Sequence, residues 1–312
     1  MRILRHLPAR AAGPVALTVG NFDGVHLGHR AMLSLLGSAA RDRGLISCVM
    51  SFEPHPREFF APDKAPARLT SLREKLELLG ELGVGQVHVR RFDYDFARVT
   101  AEEFIQAVLV DGLGVRWMLV GDDFRFGARR QGDFAMLRDA GARSGFEVVQ
   151  MESVSVDGVR VSSTAVRERL ASGDLRGAAR LLGRPYSISG RVMSGERLGT
   201  QLGFPTANLK VKHNHPPLSG IFVVDVAGLD ELPLPGVASL GVRPTVRAGG
   251  VPLLEVHLFD FSRNIYGEHL RVRFLHKLRD EEKYADLATL KAQIARDVDD
   301  ARQFFGSGAT IF

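Results

Sequence analysis

The sequence predicts an α/β domain followed by an all-β domain: a doubly wound parallel sheet, then a small antiparallel β-barrel with a closing helix. Three observations carry this. Strand-like and helix-like segments alternate from Val15 to about Gly183, the pattern of a parallel sheet covered by helices. After Gly183 strand signals follow one another with only Pro/Gly-rich turns between them, as in small barrels. From about Glu281 to Phe305 apolar residues return to helical spacing. A chain of 312 residues suits two domains. The expected division is 1–183 and 184–312, with Arg184-Pro-Tyr186 as the junction.

In the first half the β-rich apolar runs are Val15–Val19, Ile46–Phe52, Gln86–Arg91, Trp117–Gly121 and Glu147–Met151. Two of the helices between them open on capping boxes, Ser71-Leu-Arg-Glu74 and Thr100-Ala-Glu-Glu103. In the second half the strand signals are Tyr186–Ser194, Gly220–Gly228, Pro235–Gly241, Pro252–Phe261 and Glu268–Arg279. The tail carries Leu287, Leu290, Ile294 and Val298 on one helical face, which is expected to pack on the barrel. There is no internal repeat and no low-complexity segment.

Composition narrows the function. With 45% hydrophobic and 25% charged residues the chain buries proper cores and is not disordered. A net charge of +5 suits polyanions. Small polyanions are favoured over nucleic acid, because the arginines are spread along the chain and no basic run is interleaved with aromatics. Cys48 is the only cysteine, excluding an intramolecular disulfide and a cysteine-rich zinc site. The N-terminus has no signal-type apolar core, and no stretch approaches the ~18 apolar residues of a spanning helix. A soluble cytoplasmic protein with no membrane partner is expected.

The most informative segment is Gly20-Asn-Phe-Asp-Gly-Val-His-Leu-Gly-His29, lying where the first strand turns into a helix. Backbone N–H groups at a helix start are unpaired, and with the helix dipole they attract anions. His26 and His29 add donors on that side, and Gly24 and Gly28 let backbone approach a ligand. Two further segments fall where a parallel sheet gathers ligands. Gly121-Asp-Asp-Phe-Arg-Phe-Gly127 follows a strand directly and brings Asp123 to its carboxyl end. Val161-Ser162-Ser163-Thr164-Ala-Val-Arg167 precedes a helix; its hydroxyls serve either as an N-cap cluster or as phosphate ligands, with Arg167 as a forked donor.

Together these strings resemble the H-x-G-H and I-S-S-T-x-x-R signatures of the nucleotidyltransferase superfamily, and GNFDGVHLGH resembles its FMN adenylyltransferase branch. The resemblance implies attack of an FMN phosphate oxygen on the α-phosphate of ATP, with pyrophosphate leaving. That nucleophile is already anionic and needs no general base, so His26, His29 and Arg167 act by positioning and charge neutralisation, with Mg2+. Gly20, Asn21, Phe22, Asp23, Gly24 and Gly28 belong to the same binding segment. Phe52-Glu-Pro-His55-Pro resembles a family element near flavin and phosphate, a rigid Pro-bounded loop being the competing reading. Ala165 stands where many relatives carry a basic residue, and Asp123 where some carry Asn.

A second cluster runs from Gly190 to Asn208, a glycine-rich stretch including Gly195 and Gly203 and ending Pro205-Thr206-Ala-Asn208. Glycine-rich loops wrap phosphates with backbone N–H groups, and the oxygens of Thr206 and Asn208 are hard ligands that suit magnesium. The common G-x-G-x-x-G and Gly-Lys-Ser/Thr loops are absent. In Leu253-Leu-Glu-Val-His-Leu-Phe-Asp-Phe261 strand alternation puts Leu254, Val256 and Leu258 on one face, and Glu255 and His257 on the other. These strings, with Tyr266 to Glu281, resemble riboflavin kinase. On that resemblance Glu255 is the general base toward the ribityl hydroxyl of riboflavin, and Thr206 and Asn208 hold Mg2+ and nucleotide. Thr200 stands where relatives often have Arg, and Ser239-Leu-Gly241 replaces Asn-Ile-Gly.

The whole chain is thus similar to the bifunctional riboflavin kinase/FMN adenylyltransferase family. Riboflavin, FMN and ATP are its implied partners, FMN and FAD its products. Two rivals stay open at this stage: a nucleotidyltransferase for another phosphorylated precursor, and a non-catalytic flavin-binding regulator that would bind flavin without turning over ATP. Nucleic-acid binding rests on net charge alone.

Overall fold

The computed structural model describes residues 1–194, 198–211, 215–242 and 252–308. Two compact units emerge: Met1–Pro66 with Lys75–Val161, and Ala67–Glu74 with Ser162–Phe312.

The first unit holds six parallel strands: β1 (Arg2–Leu4), β2 (Val15–Val19), β3 (Ile46–Glu53), β4 (Gln86–Arg91), β5 (Val115–Gly121) and β6 (Glu147–Met151). Their order is β1-β4-β3-β2-β5-β6, so the chain winds outward in both directions from β2. The crevice between the carboxyl ends of β2 and β5 is the switch point at which such sheets bind ligands. All five expected strands are present. β2 is buried at every position, as a central parallel strand covered on both faces must be. Helices between the strands bury Leu33, Leu36, Leu109 and Leu137 against the sheet.

Both capping boxes form. Glu74 N donates to Ser71 Oγ at 3.4 Å and Ser71 N to Glu74 Oε2 at 2.6 Å, opening the helix Leu72–Glu81. Thr100 and Glu103 exchange the same pair. The helix after Thr100 continues as a π-helix over Phe104–Gly112, which the amphipathic pattern did not signal. Two short strands, β7 (Ser155–Val156) and β8 (Val159–Arg160), pair as a hairpin after β6. Neither they nor β1 were expected, since two or three residues carry no readable period.

The second unit opens with two helices, Ser163–Ala171 and Leu175–Leu182. A closed antiparallel barrel follows, made of β9 (Ser187–Met193), β10 (Ala207–Lys210), β11 (Gly220–Ala227), β12 (Leu234–Val242), β13 (Pro252–Leu258) and β14 (His269–Arg279) in the order β10-β13-β12-β11-β14-β9. The sixth strand, β10, was not among the strand signals; it begins at the end of the glycine-rich stretch, with Ala207 and Asn208. Leu209, Phe222, Val224, Leu254, Val256, Val272 and Phe274 are all buried. Val223 and Val237 lie in a separate cluster with Val298 and Ala301 of the closing helix, Leu287–Gly306. Asp286 caps that helix by accepting from Thr289 N at 2.7 Å. The expected apolar stripe serves two purposes: Ile294 and Val298 pack on the barrel cluster, and Leu287, Leu290 and Ile294 line a cavity.

Candidate active sites

The first site grows from the carboxyl end of β2. Ladder pairing ends with Gly20 N donating to Met50 O at 3.0 Å, and the chain then turns through left-handed conformations at Phe22 (φ 50), Gly24 (φ 82) and Val25 (φ 42). A phenylalanine and a β-branched valine hold such angles only where the surroundings fix them. Here Phe22, Asp23 and Val25 are buried. The helix starts at Leu27, with His26 itself as the N-cap. Its Nδ1 accepts from His29 N at 3.3 Å, so in the neutral ring the proton sits on Nε2 as a donor facing away from the cap. The rings of His26 and His29 stack at 3.7 Å with 13° between planes. A side chain at Gly28 would meet the His26 ring at 3.3 Å, so Gly28 makes room for the imidazole.

Beyond the histidines, the expected residues divide between exposed groups and structural ones. Asp123 follows β5 and is largely exposed at 3.6 Å from Arg160. Its neighbour Asp122 accepts from Ser153 Oγ at 2.7 Å and from Arg160 at 3.1 Å; the Ser153 bond first, then Arg160, hold its carboxyl below the usual range. His55 caps the short helix Pro56–Phe60, its Nδ1 accepting from Arg57 N at 3.1 Å. An aromatic cluster that the sequence reading passed over adjoins it. Phe59 meets Phe60, Phe92 and Tyr94 edge-on at 5.3, 5.5 and 4.8 Å, and Phe60 and Tyr94 remain 67% and 72% exposed. Together these rings leave apolar surface exposed on the first unit. Its signal was there to read, in Phe59-Phe60 after the Pro-His-Pro turn and in the alternation Phe92, Tyr94, Phe96.

Ser162, Ser163, Thr164 and Arg167 belong to the second unit. Ser162 caps the helix Ser163–Ala171, its Oγ accepting from Ala165 N at 3.1 Å, while Thr164 is exposed. Arg167 Nε donates to Ala67 O at 2.6 Å.

The second site lies on the outer face of the barrel. A cavity of about 610 Å³ is lined by Thr206, Ser239, Glu255, His257, Leu290 and Ile294, among others, a size that fits a drug-sized ligand. The strand register assembles its chemistry: Glu255 on β13 stands directly opposite Asn208 on β10 and Ser239 on β12. His257 Nδ1 donates to Pro205 O at 2.8 Å and pins the turn before β10. Gly203 sits in that turn at φ 93; Gly195 lies outside the described residues. The far wall is the segment joining β14 to the closing helix. Arg279 grips Asp297 through two bonds of 2.8 and 2.7 Å, which raise its already high pKa, and Ser239 Oγ donates to Glu281 at 3.1 Å. The sequence shows Arg279 and Glu281 only as part of the Tyr266–Glu281 string; the pairing of Arg279 with Asp297 arises only through folding.

The FAD synthetase family pattern matches residues 9–165, and the riboflavin kinase pattern matches residues 182–305. The bifunctional riboflavin kinase/FMN adenylyltransferase of Escherichia coli K12 is 51% identical over 309 residues, 98% of either chain. The chain belongs to the bifunctional riboflavin kinase/FMN adenylyltransferase family. The Pseudomonas fluorescens member is 49% identical, covering 97% of this chain and 96% of its own. A solved structure described as a macrolide-efflux protein from Streptococcus pneumoniae matches 97% of this chain and 99% of its own, with a TM-score of 0.82 and 27% identity. Among the described residues of this family member, no helix is long and apolar enough to cross a membrane.

Proposed function

We propose that this chain makes FAD from riboflavin in two ATP-dependent steps. The barrel phosphorylates riboflavin to FMN, and the nucleotidyltransferase half adenylylates FMN to FAD. Residues 1–183 are assigned to adenylylation and 184–312 to the kinase. The observation that carries the kinase reading is Glu255, held in register between Asn208 and Ser239 on the wall of a 610 Å³ cavity. Glu255 takes the ribityl hydroxyl proton as that oxygen attacks the γ-phosphorus of ATP and the bond to ADP breaks.

The cavity wall carries Glu255, Glu281, Glu282, Asp286 and Asp297 against one arginine, Arg279. A nucleotide polyphosphate entering so acidic a cavity needs a cation with it. The donors fit Mg2+: Thr206 offers a hydroxyl and Asn208 an amide oxygen, and Mg2+ commonly takes one or two protein ligands with the rest from phosphate and water. When bound, Mg2+ would supply neutralisation of phosphate charge.

For adenylylation, His26, the stacked His29 and the N-terminal end of the helix Leu27–Asp42 stabilise charge on the transferred group, and the family resemblance gives Arg167 and the hydroxyls of Ser162, Ser163 and Thr164 the role of further donors. No base is required, since the FMN phosphate oxygen is anionic. Asn21, Asp23 and the glycines shape the turn. The exposed rings of Phe60 and Tyr94 provide a stacking surface for a flavin, with His55 and Asp123 as polar groups of the same unit. A cytoplasmic location follows for an enzyme consuming ATP. Purified protein given riboflavin, ATP and Mg2+ should yield FMN and then FAD on chromatography, and EDTA should stop both steps. Riboflavin recovered unchanged in the presence of Mg2+ would refute the reading.

A further inference from the structure

Lys75 is the one lysine among the buried charged residues of the described structure, only 2% exposed. A buried ammonium is costly unless it is well bonded, so its position needs a reason. Its Nζ donates to Ser51 Oγ at 3.2 Å. Ser51, itself 1% exposed and near the carboxyl end of β3, donates in turn to Asn21 O at 3.2 Å. Asn21 lies just past the last ladder bond of β2. It is also the residue before Phe22, where the chain enters its left-handed turn.

We propose that Lys75 is a positioning residue of the adenylyl-transfer loop, acting through Ser51. A hydroxyl has one proton and two lone pairs. With Lys75 donating into a lone pair, the Ser51 proton is left to point at the Asn21 carbonyl. That bond fixes the peptide between Asn21 and Phe22, and Phe22 carries the restraint onward, its ring lying 4.8 Å from that of His29. The strained turn is thereby held where His26 caps the helix and His29 stacks on it. Lys75 touches no reacting atom in this scheme. The inference rests on the reading of His26 and His29 as the charge stabilisers of adenylyl transfer.

Because the chain carries two activities, the kinase step is an internal control for folding. Lys75→Met keeps the length of the side chain and removes the ammonium; Ser51→Ala removes only the hydroxyl. Each single variant should lower kcat for FMN to FAD by ~10- to 100-fold, with KM for ATP and the rate of riboflavin phosphorylation changed less than about two-fold. The double variant should be no worse than the poorer single one, since both break one relay. Unchanged kcat in Ser51→Ala, multiplying losses in the double variant, or an equal fall of both activities in Ser51→Ala would overturn the proposal, and Ser51→Ala decides the matter if Lys75→Met does not fold. His29→Ala, assayed alongside, separates the two readings. If it keeps full FAD synthesis, the role of the loop is wrong; if it loses FAD synthesis while Ser51→Ala does not, only the relay is wrong.

Discussion

The loop after β2 and the outer face of the barrel are built by opposite means. The loop leaves regular structure and holds its histidines through left-handed residues, a side-chain cap and buried hydrogen bonds to Asn21. On the barrel, Glu255, Asn208 and Ser239 sit on three adjacent strands and are aligned by ladder register. A parallel sheet exposes its strands only at their ends, so its chemistry falls in connections. An antiparallel barrel with one face covered by a helix can place polar groups on the strands themselves. The loop is therefore expected to be sensitive to changes in supporting residues, the barrel face mainly to changes in the reacting residue.

The largest effect expected is on the barrel. Glu255→Gln should lower riboflavin phosphorylation by ~10²- to 10⁴-fold and leave FAD formation from added FMN intact, measured as separate initial rates. On the loop, His29→Ala should cost ~10²- to 10³-fold in adenylylation, as loss of one charge-stabilising donor does, with FMN accumulating when riboflavin is supplied.

How legible this was differs between the two regions for the same physical reason. Alternation with period two placed Glu255 opposite Leu254 and Val256 in orientation, and the strand β13 bears it out. Switching from alternating elements to successive strands marked the all-β half. The loop was legible only as a motif. Nothing in Asn21 or Phe22 announces left-handed angles at a phenylalanine and a valine, and the helix start at Leu27 with a histidine cap breaks the usual Ser/Thr/Asp/Asn preference. Contacts between distant segments stayed hidden: β10 was not among the strand signals, and the Arg279–Asp297 pair links residues 18 apart.

Smaller effects sharpen the contrast. Asp297→Ala leaves Arg279 half-buried with its two bonds lost, which should cost roughly 3 kcal/mol in urea unfolding and raise KM for riboflavin in the kinase step, with adenylylation of added FMN unaffected. The smallest effect belongs to the first unit. His88 is fully buried on β4, its ring nitrogen 3.1 Å from His6 O, and burial lowers its pKa below the ordinary value of 6.5. The unfolded chain then takes up the proton first as pH falls, so stability should decline below about pH 6.5 toward the lowered folded value and be fully present above it. His88→Asn should flatten that decline in urea midpoints taken across the same range.

The most direct measurement of the central claim, two independent sites on one chain, is chromatography of flavin products from Glu255→Gln and His29→Ala given riboflavin, ATP and Mg2+, separately and mixed. Separately, Glu255→Gln should return riboflavin and His29→Ala should stop at FMN, while the mixture should make FAD, because FMN released by one variant is adenylylated by the other. FAD from either variant alone at the parental rate, or a mixture that makes none, would contradict the assignment of the two steps to these two sites.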